Sequence, residues 1–303
     1  NSNRFNKQIK MSWNLKEIYK ALDKKFKHKE NIEFQKISID SRKIGINDFF
    51  IPIVGKSYDG HDFISHVSDF GVKACLVENK KKFQVKNSLI HKIFVKNTQE
   101  SLEQLATYSR KKNKNLQMIC ITGSSGKTSL KEWTGKVLKE RVNTYINPGN
   151  YNNEIGMPLS LVNMPTNTEV CILELGMNRK GEIKKLTKIA SPTISIVTNV
   201  GLAHIGNFNE PKDIAKEKAS VYEYLNKKSF ALIPNDSPYS EILIKKASCK
   251  TQNIISFGIK ETSNSNFNKI AENKFIFTIL GKKISLEKKD YFKHWEENAL
   301  IIL

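Results

Sequence analysis

The stretch ICITGSSGKTSLKEW, from Ile119 to Trp133, constrains the fold of this chain more than any other. An apolar run leads directly into a loop of glycines, serines and one lysine, and the loop leads into a segment with helical spacing. A strand, a tight turn and a helix joined this way aim backbone N–H groups at one point, where they form a cradle for phosphate oxygens. In such a loop Lys127 reaches the β and γ phosphates and the Thr128 hydroxyl binds Mg²⁺. The usual pattern carries a glycine where this chain has Ile121, so the loop is shorter and points away from the common NTPases. The plainer alternative is a Gly-Ser turn before a helix. Leu130, Trp133, Val137 and Leu138 make one apolar stripe on the helix that follows.

The same theme repeats downstream. QMICIT, EVCILEL, TISIVTNV, SFALIPND and NIISFG are short apolar runs separated by helical patterns. Strands alternating with helices predict a mainly parallel sheet, with ligands at the carboxyl ends of its strands. Glu174 closes one of those strands, where a Mg²⁺-binding carboxylate belongs in a phosphate-loop protein, although an acid there is as often a solvated terminus. His204, just past TNVGLA, falls on the same edge and is either a ligand or structural. In EPKDIAKEKASVYEYL, Pro211 opens a helix whose apolar stripe is Ile214, Val221, Tyr222 and Leu225. Lys218 lies on that stripe and Lys216 does not. A buried lysine loses its proton readily, and the neutral amine can take up CO₂ as a carbamate; a lysine that snorkels to the surface cannot.

Before this unit, residues 11–112 read as a small α/β domain. Its elements are WNLKEIYKAL, DFFIPIVG, a helix near HDFISHVSDFG, the strands VKACLVE and KIFVKN, and the helix NTQESLEQLATYSR capped by Asn97. The polar run RKKNKN, Arg110 to Asn115, reads as the linker, which places the second domain at 113–303 with its end near 290–303. Residues 1–10 are a polar leader without the apolar core of a signal peptide, and Met11 reads as the start. No apolar run approaches the ~18 residues that cross a bilayer, so a cytoplasmic protein without membrane insertion is expected. Cys75, Cys120 and Cys171 sit in apolar runs and read as buried thiols. The 50 basic against 30 acidic residues, a net +20, would attract any polyanion, but the lysines are scattered without interleaved aromatics, so no nucleic acid is expected as a partner.

Together the loop TGSSGKT, the strand-end Glu174, His204 and Lys218 resemble the Mur ligases of peptidoglycan synthesis, whose T-G-S/T-x-G-K-T/S loop accounts for the shortened spacing. NPGNYNNEIGMPLSL and ELGMNRKGEI are most similar to the member that joins D-Ala-D-Ala to UDP-MurNAc-tripeptide, and IDSRKIGINDFFIPIVGKSYDGHDFI resembles the UDP-sugar-binding domain of that branch. The resemblance implies that Gly123, Ser124, Ser125, Gly126, Lys127, Thr128, Ser129, His294 and Asn298 hold ATP. It implies that Thr128 and Glu174 bind one Mg²⁺, and His204 with carbamylated Lys218 a second. Ser41 and Arg42 would lie near the UDP end, and Asn150 and Asn153 would line the substrate channel. Lys127, His204 and Lys218 are then the catalytic set.

The implied reaction phosphorylates the tripeptide carboxylate with ATP, and the amine of D-Ala-D-Ala attacks the resulting acyl phosphate. A monomer is expected. The family continues into a third, Rossmann-like domain absent from these 303 residues, so the chain is expected to bind both ligands without useful ligation. The alternatives are a non-catalytic nucleotide- and UDP-sugar-binding fragment, another Mur ligase, and a nucleic-acid-dependent ATPase.

Overall fold

The computed structural model describes residues 13–82, 89–201, 205–208, 210–288 and 295–303. The polar leader 1–10, Met11, His204 and His294 lie outside the described residues. The chain forms two compact units, one of residues up to Lys114 together with Pro158–Thr168, the other of Asn115–Met157 together with Glu169–Leu303.

In the first unit β1 (Trp13–Asn14) pairs antiparallel with β2 (Glu33–Phe34). Helix α1 (Leu15–Ala21) starts where the Asn14 side chain accepts the Glu17 N–H. β3 (Ile37–Ser38), β4 (Phe49–Phe50), β5 (Ala74–Glu78) and β6 (His91–Val95) form a parallel sheet in that order. All five β5 residues are buried, as a parallel strand covered on both faces requires. Helix α2 (Ile64–Asp69) follows a 3-10 turn, and α3 (Thr98–Lys112) is capped by Asn97, whose Oδ1 accepts the Glu100 N–H at 2.8 Å. Helix α3 runs further than the sequence reading: Arg110, Lys111 and Lys112 form its last turn, not a linker. Cations there complement the carbonyl end of the helix dipole, so a run without apolar residues still extends the helix. The Pro158–Thr168 segment joins this unit through real contacts. Trp13 Nε1 donates to the Val162 carbonyl at 2.7 Å, and the Asn163 side chain pairs with both backbone groups of Ile37.

The second unit is built on a nine-stranded sheet. Its strands in chain order are β7 (Gln117–Thr122), β8 (Thr144–Ile146), β9 (Val170–Glu174), β10 (Ile194–Val197), β11 (Phe230–Pro234), β12 (Asn253–Gly258), β13 (Ser265–Ala271), β14 (Lys274–Ile279) and β15 (Lys282–Glu287). In space the order is β15-β14-β13-β12-β11-β10-β7-β9-β8, parallel from β8 to β13 and antiparallel from β13 to β15. Strand β7 lies between β9 and β10, so the connections leave it in opposite directions and open a crevice at its carboxyl end. Helix α4 (Lys127–Lys139) is followed in the chain by α5 (Gly156–Val162), which runs into the Pro158–Thr168 segment of the first unit; the other helices here are α6 (Glu182–Ala190), α7 (Pro211–Ala219), α8 (Ser240–Ser248) and α9 (Trp295–Ile302). The antiparallel β13–β15 extension packs Phe267, Phe275 and Phe277 with Leu300 of α9 and Trp295. Among the described residues no helix is long and apolar enough to cross a membrane. Cys75, Cys120 and Cys171 are buried, and burial pushes the Cys75 thiol up to about 12.

The stripe expected on α4 is turned by about one residue. Val137 is 52% exposed, whereas Leu130, Lys131 and Gly135 are buried. A lysine reaches that face because its ammonium is satisfied there: Lys131 Nζ donates to the carbonyls of Asn147 (2.9 Å) and Gly149 (3.2 Å).

Candidate active site

The loop at the end of β7 is shaped by its glycines. A Cβ on Gly123 would sit 1.8 Å from Thr198 Oγ1, and Gly126 takes the left-handed φ of +78° that starts α4. Ile121, where a longer loop would have glycine, is instead a buried β7 residue paired with Glu174 of β9 and Ile196 of β10. The end of β10 supports the loop from the side. Thr198 Oγ1 donates to the Ser125 carbonyl at 2.6 Å, and Asn199 Oδ1 accepts the N–H groups of Ser124 (3.1 Å) and Ser125 (3.0 Å).

Lys127 Nζ folds back onto the Gly123 carbonyl at 2.9 Å, and burial lowers its pKa against the opposing pull of the Glu174 charge. Thr128 Oγ1 donates to Glu174 Oε2 at 2.7 Å. The β7–β9 pairing thus brings together two residues 46 apart in sequence. Both offer oxygen, the donor type that Mg²⁺ takes, so the residues present fit one such ion. Among the described residues no group of three His, Cys, Asp or Glu gathers as a metal site.

Lys218 occupies the buried face of α7 at 1% exposure, in line with Ile214, Val221 and Tyr222, all buried. Burial, and then the charge of Lys127, push its amine down to about 7, while Glu217 pulls the other way. Lys216 is exposed and paired with Asp213 at 2.8 Å. Next to Lys218, the buried Glu217 accepts N–H groups from Gly181 (2.8 Å) and Ile183 (2.9 Å), and so ties α7 to the start of α6.

A cavity of about 430 Å³ opens on the loop, lined by Ser124, Ser125, Gly126, Asn199, Phe257 and Asn298 among others. Asn298 is 2% exposed, and its Nδ2 is buried without a hydrogen-bond partner. Ser129, on the first turn of α4, does not line this cavity.

Asn150 is exposed, and Asn153 spends its Oδ1 on the N–H groups of Ile155 (3.1 Å) and Gly156 (2.8 Å) at the start of α5. Asn152, which the sequence reading passed over, donates to Glu174 Oε1 at 2.9 Å. Asn199, Asn147 and Glu217 were missed for the same reason, because short polar residues beside strands carry no distinguishing spacing. In the first unit Ser41 and Arg42 follow β3, and Arg42 forms a two-pronged pair with Asp40, holding that carboxyl at about 2. In DGHDF, His61 Nδ1 bonds Asp59 at 2.6 Å and Nε2 accepts the Glu78 N–H at 3.1 Å, so both ring nitrogens serve the scaffold.

The family model "Mur ligase middle domain" matches residues 121–302, and "Mur ligase family, catalytic domain" matches residues 33–110. The chain is 37% identical over 77% of its length to the UDP-N-acetylmuramoyl-tripeptide--D-alanyl-D-alanine ligase of Buchnera aphidicola subsp. Baizongia pistaciae, and spans 49% of that protein. It superposes on the MurF crystal structure from Acinetobacter baumannii with a TM-score of 0.86 at 26% identity, covering 96% of this chain and 64% of that one. The MurF ligase from Thermotoga maritima in complex with ADP gives a TM-score of 0.75 at 28% identity, covering 88% and 61%. The chain therefore spans about half the length of that curated relative and under two thirds of the solved ones. With its phosphate loop, strand order and both matched segments in agreement, this chain belongs to the Mur ligase family.

Proposed function

We propose that these 303 residues are the UDP-sugar-binding and ATP-binding portions of a cytoplasmic, monomeric ligase that joins D-Ala-D-Ala to UDP-MurNAc-tripeptide. The observation that carries the reading is the Thr128–Glu174 contact at the mouth of a glycine loop whose Lys127 is free to turn from Gly123 to a phosphate. The likeness to the ADP-bound Thermotoga ligase supports the same nucleotide here. In this reading the N–H groups of residues 123–129 and Lys127 bind the phosphates, and Asn298 meets the base with its unpaired amide.

Thr128 and Glu174 would hold one Mg²⁺, and carbamylated Lys218 with His204 the other. Bound there, Mg²⁺ would offset the repulsion between the triphosphate and the incoming carboxylate. The Lys218 amine forms an N–C bond to CO₂ and gives up a proton, turning a buried base into an anion. The tripeptide carboxylate takes the γ-phosphoryl group and releases ADP; the amine then displaces phosphate and forms the amide. Residues 11–112, with Ser41 and Arg42, are assigned to the UDP-sugar, and residues 113–303 to ATP. Asn150, exposed on its turn, is assigned to the acceptor channel.

Calorimetry and thermal shift on the 303-residue chain test this reading. ATP at about a hundred times Kd should stabilise the parent by about 2.7 kcal/mol, and Lys127→Ala should abolish that protection. UDP-MurNAc-tripeptide should bind separately. Equal protection of Lys127→Ala and parent by ATP would remove the loop from the site.

A further inference from the structure

The Glu174 carboxylate is held from a direction that the phosphate loop does not explain. Its Oε2 faces Thr128, while its Oε1 accepts the amide of Asn152 at 2.9 Å. Asn152 stands in a turn that commits a second asparagine to Glu174. The fully buried Asn147 accepts the Glu174 N–H through Oδ1 at 2.9 Å and donates through Nδ2 to the Tyr151 carbonyl at 2.8 Å. The turn is anchored in turn by Lys131, one helical turn after Lys127 and 0% exposed. Its ammonium binds the carbonyls of Asn147 and Gly149 and pairs with Glu132 at 3.2 Å. A buried ammonium costs several kcal/mol unless fully partnered, so a lysine at this point fixes the turn more firmly than an apolar residue of its size would.

We propose that Lys131 and Asn152 are positioning residues for the metal site: Lys131 ties the 147–152 turn to the phosphate-loop helix, and Asn152 uses that fixed turn to aim the Glu174 carboxylate at Thr128. The inference rests on the nucleotide reading above and deepens it. With Asn152 in place one carboxylate oxygen is occupied and the other faces the Thr128 hydroxyl, which sets the oxygen pair before any cation arrives. The loop N–H groups and Lys127 are untouched by either side chain, so their hold on phosphate does not depend on the turn.

The experiment compares ATP affinity in excess Mg²⁺ and in EDTA for the parent, Asn152→Ala and Lys131→Met. Both variants should weaken binding about tenfold with Mg²⁺ and less than twofold in EDTA. Asn152 lies on a half-buried loop, so Asn152→Ala decides the matter if Lys131→Met does not fold. Parent-like affinity of Asn152→Ala in Mg²⁺ would overturn the inference alone, as would an equal loss with and without Mg²⁺, which marks general damage to the turn. Failure of the parent to bind ATP under either condition would overturn the nucleotide reading and this inference with it.

Discussion

Replacing Glu217 by glutamine tests how the second unit keeps Lys218 in place. The two Glu217 oxygens each accept one N–H, from Gly181 and Ile183, at the N-terminus of α6 where a negative charge is favoured. Glutamine keeps one acceptor oxygen but turns an NH₂ group toward the other N–H. One charge-assisted bond weakens to a neutral one, and one buried N–H is left without a partner. At about 1–3 kcal/mol for an unsatisfied group, and about 1 kcal/mol for the lost charge, the change should cost about 3 kcal/mol. Hydrogen exchange read by mass spectrometry on peptides spanning residues 176–190 should detect it as roughly a hundredfold faster exchange at Gly181 and Ile183, since each 1.4 kcal/mol is tenfold. The midpoint of urea unfolding, followed at Trp133 and Trp295, should fall with it. Exchange within threefold of the parent and an unchanged midpoint would refute the argument, because the two bonds would then carry no net stability.

Two further outcomes follow from single groups. Incubation with ¹³C-bicarbonate should give a carbamate carbon signal in the parent and in Lys216→Ala but not in Lys218→Ala; a signal that survives Lys218→Ala would reject Lys218 as the modified residue. In the first unit, burial opposes ionisation of Asp59, yet hydrogen bonds from His61 and Lys81 outweigh it and hold the carboxyl at about 2. A carboxyl depressed on folding stabilises above its unfolded pKa near 4 and loses that contribution as pH falls toward 2. Urea titrations between pH 5 and pH 3 should therefore show the parent losing about 1 kcal/mol more than Asp59→Asn, whereas parallel curves would show that the Asp59 charge adds nothing.

The elements that were legible in the chain are those with a strong local pattern. Strands β7 and β9–β12 were each announced by an apolar run, the phosphate loop by its glycines, and α7 by Pro211 and the spacing of Ile214, Lys218 and Tyr222. The expected linker is shorter than RKKNKN because Arg110–Lys112 suit the end of a helix as well as they suit a coil, while the boundary between the units falls after Lys114. Strands β13–β15 went unread, since their alternation is diluted by lysines on an exposed face. Lys131 defeated the stripe on α4 because a polar residue can be buried wherever carbonyls converge on it, and no local pattern reveals where that happens.

By itself the sequence determined the local chemistry: a loop that cannot carry side chains at Gly123, a lysine and a hydroxyl at the start of a helix, and an acid at the end of a strand. These follow from backbone sterics and periodicity, which act within a few residues. Tertiary structure alone decided which of the many asparagines matter. Asn152, Asn147 and Asn199 are indistinguishable in the chain from Asn150 or Asn163, and they acquire roles only because β9 and β10 flank β7 and carry their ends to the same edge of the sheet. Hydrogen bonds act over about 3 Å, so their partners are set by strand order and register, which no short stretch of residues contains.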